Sequence, residues 1–111
     1  MASDWTVELS DEVATWYRAL SPKDRARADR AIGLLTERGA ALRMPHARRL
    51  DDGLWELRFN CEQVARRVTY TIDPGRKVVT LTTFRKQRNN ERVEVRRARN
   101  VLKRRRGKGH G

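Results

Sequence analysis

The chain has 111 residues, 38% of them hydrophobic, enough for one domain around one modest core and too few for a second. Its 26 lysines and arginines against 14 acidic residues leave a formal net charge of +12, which points to polyanionic partners, with nucleic acid ahead of a membrane surface. No run approaches the ~20 apolar residues of a membrane span. The acidic start lacks the pattern of a signal peptide, and the single cysteine, Cys61, excludes an intramolecular disulfide, so a soluble cytoplasmic protein is expected.

In chain order, Trp5–Leu9 alternates like a half-buried strand, and Ser10 followed by Asp11 and Glu12 supplies the cap and acidic first turn of a helix. Val13, Trp16, Tyr17 and Leu20 share one face of that helix. Ser21 and Pro22 cap and open a second helix, in which Ala28, Ala31, Ile32 and Leu35 form a stripe and Gly39 the C-cap. Residues 40–53 read as a loop ending in a turn at Asp52-Gly53. Three strands follow, Leu54–Phe59, Val64–Ile72 and Lys77–Phe84, separated by turns at Asn60–Gln63 and Asp73–Arg76. From about Asn89 to Arg106 runs a basic helix with a narrow apolar seam of Val95, Ala98, Val101 and Leu102; residues 107–111 read as a disordered tail in which His110 has no role. The expected fold is α+β, a single domain over residues 1–106. A small twisted antiparallel sheet is covered on one face by the helical hairpin and open to a ligand on the other, with the basic helix beside it.

Charge rises along the chain. Residues 1–37 hold 5 basic against 7 acidic side chains, residues 38–84 hold 9 against 5, and residues 85–111 hold 12 against 2. Alternation puts Arg58 and Glu56 on one strand face, and Arg67 on the face opposite Arg66. Arg85, Lys86 and Arg88 sit where the third strand ends, so Arg58, Arg67 and this cluster can converge across neighbouring strands. Each arginine can equally be an ordinary surface charge paired with Glu56, Glu62 or Asp73, and Glu56 reads as an orienting partner. His46 is read as a solvated loop residue, the three tryptophans as core, and Cys61 as incidental. With two distant histidines and no cysteine cluster, no metal site and no cofactor are expected. RNA cleavage needs neither, because the 2′-hydroxyl attacks its own phosphate once it is held in line, charge is neutralised and a proton is moved.

Three segments in order, Leu54-Trp55-Glu56-Leu57-Arg58, Ala65-Arg66-Arg67-Val68-Thr69-Tyr70 and Val79–Lys86 ending in Phe84-Arg85-Lys86, resemble the HigB-like, phage-derived branch of the RelE/ParE toxin superfamily. The resemblance implies a RelE-like fold and a type II toxin that cleaves mRNA, commonly on the ribosome, and is neutralised by a cognate antitoxin. It implies catalytic roles for Arg58, Arg67, Arg85 and Lys86; Arg66, Arg88, Arg92, Arg96 and Arg99 are expected to bind RNA. Some members of the superfamily place a tyrosine shortly after the basic pair; Asn89, Asn90, Glu91 and Arg92 stand there in this chain, which draws attention to His46 as a substitute. Two other readings stand beside it, a ParE-like gyrase inhibitor and a non-catalytic RNA- or ribosome-binding protein in which the basic helix tracks phosphates.

Overall fold

The computed structural model describes residues 4–108. The chain runs β1 (Thr6–Glu8), α1 (Asp11–Arg18), α2 (Pro22–Arg38), a short 3-10 turn (Gly39–Ala41), β2 (Ala47–Asp51), β3 (Leu54–Cys61), β4 (Val64–Asp73), β5 (Lys77–Arg85) and α3 (Glu91–Lys108). The five strands form one sheet in the order β1-β5-β4-β3-β2. This is the α+β arrangement of hairpin, sheet and basic C-terminal helix that the sequence predicts, with three differences.

First, β1 lies parallel to β5, so the sheet is antiparallel except at that edge. Alternation in Trp5–Leu9 carries no direction. Direction is set by Ser10, whose N–H donates to Thr80 Oγ1 at 3.0 Å and whose hydroxyl donates to the Leu81 carbonyl at 2.9 Å, fixing the start of α1 on β5. The same hydroxyl accepts the Val13 N–H as the N-cap, so one side chain starts the helix and docks it.

Second, the segment expected as loop contains β2, paired antiparallel to β3 with Arg48 opposite Glu56. Arg48 and Arg49 interrupt the apolar alternation that marks a strand, and the pairing is dictated from outside by the Asp52-Gly53 turn, where Gly53 takes φ +71°.

Third, the sheet face expected to remain open is closed along much of its length by α3. Ala98 and Leu102 of the predicted seam pack on Leu54 and Leu81, with Leu50, Val95 and Val101 at the margin. The opposite face carries the larger core, in which Val13, Leu35, Leu57, Val68, Tyr70 and Val78 join the hairpin to the sheet. The basic helix therefore buries one stripe and leaves its arginines at the edges. Its ends also move: α3 begins at Glu91 and continues through Lys108, so Gly107 and Lys108 are helical, while residues 109–111, including His110, lie outside the described residues.

Ion pairs complete the docking of α3. Arg97 grips Glu12 through Nη1 at 2.6 Å and Nη2 at 2.9 Å, and the Thr83 N–H donates to the same carboxylate at 2.9 Å, joining α1, β5 and α3. Arg99 reaches Asp51, and Arg105 reaches Asp73. The β4–β5 pairing is interrupted once: Tyr70 faces Thr80 and Val68 faces Thr83, so β5 spends one residue more than β4 between these pairs, a β-bulge at Leu81-Thr82.

At the end of α2, Gly39 adopts φ +49° and lies under the Trp5 indole, where an added Cβ would fall 2.0 Å from Trp5 Cδ2. Gly39→Ala is expected to lower stability by about 1–3 kcal/mol in urea unfolding; an unchanged midpoint would refute the tight packing. Burial alone would raise the Glu12 pKa, but the Arg97 hydrogen bond, the Thr83 N–H and the Arg97 charge together hold it below its ordinary 4.5. A carboxylate depressed in the folded state stabilises above its unfolded pKa and loses that contribution as pH falls through the folded value. Glu12→Gln is therefore expected to be less stable at neutral pH and to flatten the loss of stability on acidification below about pH 4.5, read from urea midpoints at several pH values.

Candidate nucleic-acid interface

Strand register assembles the site. Arg58 of β3 stands opposite Arg67 of β4, Glu56 opposite Thr69, and Arg48 of β2 opposite Glu56. Residues directly opposite one another share a face, so Arg48, Glu56, Arg58 and Arg67 meet on the α3 side of the sheet, beyond the part that α3 covers. The expected grouping of Arg58 with Glu56 and Arg67 is found, and Glu56 holds the orienting position expected of it.

Glu56 is completely buried. Its Oε2 lies 3.2 Å from Arg48 Nε and 3.8 Å from both Arg58 Nε and Arg67 Nε, and none of these contacts has hydrogen-bond geometry. One carboxylate thus holds three guanidiniums by charge alone. Burial pushes its pKa above the ordinary 4.5, more strongly than Arg48, Arg67 and Arg58 draw it down. Burial, followed by the neighbouring Arg58 charge, likewise lowers the pKa of Arg67. Arg58 Nη1 rests on Met44 Sδ and Arg67 Nη1 donates to the Arg66 carbonyl at 3.2 Å, leaving the other terminal nitrogen of each guanidinium uncommitted among the described residues. Arg48 also pairs with Glu91 at 2.9 Å, so three cations face two carboxylates and one positive charge is left over for an incoming phosphate.

Two further groups flank the trio. The His46 carbonyl accepts the Arg58 N–H at 2.8 Å, extending the β2–β3 ladder by one step and setting exposed His46 opposite Arg58 on the same face. The Lys86 N–H donates to the Ala65 carbonyl at 2.7 Å, extending the β4–β5 ladder so that Lys86 follows Phe84 on the Arg67 face. The corner after Lys86 is fixed by Asn90, which accepts the Gln87 N–H and donates to the Arg85 carbonyl. Where some RelE-like chains are expected to place a tyrosine, this asparagine shapes the turn.

The other predicted residues disperse. Arg66 points to the hairpin side, buried between the Trp16 ring at 5.0 Å, Glu62 at 2.9 Å and Thr83. Arg85, directly opposite Arg66, leaves the sheet on that side too and is exposed. Arg88 is exposed in the β5–α3 corner, Arg92 and Arg96 are exposed on α3, and Arg99 is paired with Asp51. Trp5, Trp16 and Trp55 pack partly buried against the core, as expected. Cys61 is buried, and burial, then Asp24 and Glu62, raise its thiol pKa, the opposite of what activates a nucleophile. Arg48 was not anticipated; the available signal was the Asp52-Gly53 turn, which implies a strand on each side. Among the described residues no group of three or more His, Cys, Asp or Glu is placed to hold a metal ion.

A carboxyl whose folded pKa is raised contributes stability while protonated and loses it as pH rises from the unfolded value through the folded one. Glu56→Gln is therefore expected to abolish a decline in stability that the native protein shows on going above about pH 4.5. Parallel pH profiles for the two proteins in urea unfolding would contradict a Glu56 whose burial outweighs the pull of its arginines.

The model of the phage-derived, Gp49-like protein family matches residues 15–105. No curated protein matches the chain. Among solved structures, the fold is similar to the RelBE2 toxin–antitoxin complex of Mycobacterium tuberculosis, with a TM-score of 0.55 at 20% identity, covering 75% of this chain and 99% of that one. It is also similar to a double arginine-to-alanine mutant of E. coli toxin RelE in the free state, with a TM-score of 0.52 at 17% identity, covering 91% and 97% of the two chains. At these identities the likeness is one of fold, and the family match spans most of the chain: the protein belongs to the phage-derived Gp49-like family and has the fold of RelE toxins.

Proposed function

We propose that the chain is the toxin of a toxin–antitoxin pair and acts as an endoribonuclease on mRNA, inhibiting translation. The carrying observation is the arginine trio around Glu56, flanked by Lys86 and His46 on one sheet face. RNA supplies its own nucleophile. The 2′-hydroxyl oxygen attacks the adjacent phosphorus, the bond to the 5′ oxygen of the next nucleotide breaks, and the products are a 2′,3′-cyclic phosphate and a free 5′-hydroxyl. The protein has to hold the phosphate, neutralise the charge that grows on its oxygens, take the proton from the 2′-hydroxyl and return one to the leaving oxygen. Arg58 and Arg67 bind the phosphate oxygens, and Lys86 stabilises the developing charge. His46, exposed opposite Arg58, is placed to move a proton, imidazole being the side chain that most often does so. Glu56 does not touch substrate; it positions the three arginines. No step draws on a metal or organic cofactor.

The net charge of +12 favours action on ribosome-bound mRNA in the cytoplasm, where polyanion surrounds the substrate. One similar structure is a toxin–antitoxin complex, and a basic face flanked by exposed Met44 suits an acidic antitoxin segment. Brief induction of the native chain should arrest growth and produce new 5′ ends inside translated codons by primer extension. Lys86→Ala at equal abundance should cut at least about 100-fold more slowly, the cost of removing one charge-stabilising group. Intact mRNA with DNA breaks would transfer the activity to gyrase. Intact mRNA with normal growth would reduce the protein to RNA or ribosome binding.

A further inference from the structure

We infer that a single-stranded RNA bound at the arginine trio continues along the groove between β2 and the N-terminal half of α3, with its backbone phosphates held by Arg92 and Arg96. This rests on the nuclease reading and names the path of its substrate. The groove encloses about 450 Å³ and adjoins the trio through Arg48, which lines it and lies 3.2 Å from Glu56 and 2.9 Å from Glu91, the first residue of α3. Arg48 and Arg49 form one wall, Arg92, Arg96 and Arg99 the other, and among the described residues Glu91 is the only carboxylate that lines it. Arg48 is committed to Glu91, Arg49 to Asp52 and Arg99 to Asp51, so these three belong to the walls. Arg92 and Arg96 are exposed, lie one helical turn apart and form no ion pair among the described residues. They are the two cations of the groove left for an outside anion.

The floor is Leu50 and Val95, and among the described residues no aromatic side chain lines the groove, so it suits a sugar–phosphate backbone better than stacked bases. From Glu91 to Arg99 the helix advances about 12 Å, room for more than one phosphate. The opposite flank of α3 decides the direction. The larger hollow there, about 710 Å³, sets Arg104, Arg105 and Arg106 against Glu8, Asp11 and Asp73, and Arg105 is tied to both Asp73 and Glu8. Its charges cancel, so size does not make it the nucleic-acid path.

The test uses a short fluorescein-labelled oligonucleotide of 2′-O-methyl RNA, which binds without being cut, titrated by anisotropy at several salt concentrations. Each phosphate contact on a single strand contributes about 0.7 to the slope of log K against log salt. The double variant Arg92→Ala/Arg96→Ala should bind more weakly, with a slope shallower by about 1.4. Lys103→Ala/Arg104→Ala, which removes two exposed charges at the far end of the same helix, should leave the slope unchanged. Equal losses in both variants, or an unchanged slope in the first, overturn the groove. Cleavage of unmodified RNA by the native protein, measured alongside, separates the failures. Cutting with an unaltered slope in the first variant rejects the groove and keeps the nuclease; a shallower slope without any cutting keeps the groove and rejects the nuclease. Absence of RNA binding by the native protein rejects both.

Discussion

Everything at the proposed site depends on one carboxylate out of water. Three arginines from three strands would repel one another at such short range, and Glu56 beneath them supplies the opposite charge that lets the sheet close around them. Because none of the contacts is a well-formed hydrogen bond, the guanidiniums are gathered without being saturated. A structural salt bridge would use both partners fully. This one leaves the Nε donors of all three arginines without a hydrogen-bond partner, which an ordinary surface ion pair does not do.

α3 gives that receptor its shape. The helix carries enough arginine to be read as a free polyanion-binding rod, yet Ala98 and Leu102 make it a second covering layer. By closing the Leu54 and Leu81 end of the face it confines ligand access to the end that holds the trio. Glu12 and Arg97 matter for the same reason: they fix the height of the helix over β5, and with it the wall of the groove.

Much of this was legible in the sequence. Caps at Ser10, Ser21 and Gly39, the apolar stripe of α2, the three central strands and the seam of α3 are local patterns, and all are found. Arg58, Glu56 and Arg67 fell together because alternation within two adjacent strands is reliable once their turn is known. The losses came where information is not local. β2 owes its pairing to a turn and to Glu56 across the ladder, the side of α1 to which β1 turns is set by Ser10 contacts some seventy residues away, and the cover over the open face depends on a seam that tells that a helix packs and not where. Arg66 and Arg85 carried the same chemistry as Arg67 and Lys86, and only the register separates them.

The bulge in β5 is where that separation is made. Thr80 and Thr83 both face the hairpin across an odd interval, so the strand changes phase once between Leu81 and Thr82. Every residue after that point is out of step with the alternation that precedes it. In a regular strand Lys86 would emerge on the hairpin side and Arg85 on the face of Arg67, exchanging a lysine for an arginine beside the proposed phosphate site. One extra residue in a nine-residue strand thus selects which of two adjacent cations joins the arginine trio on its face of the sheet.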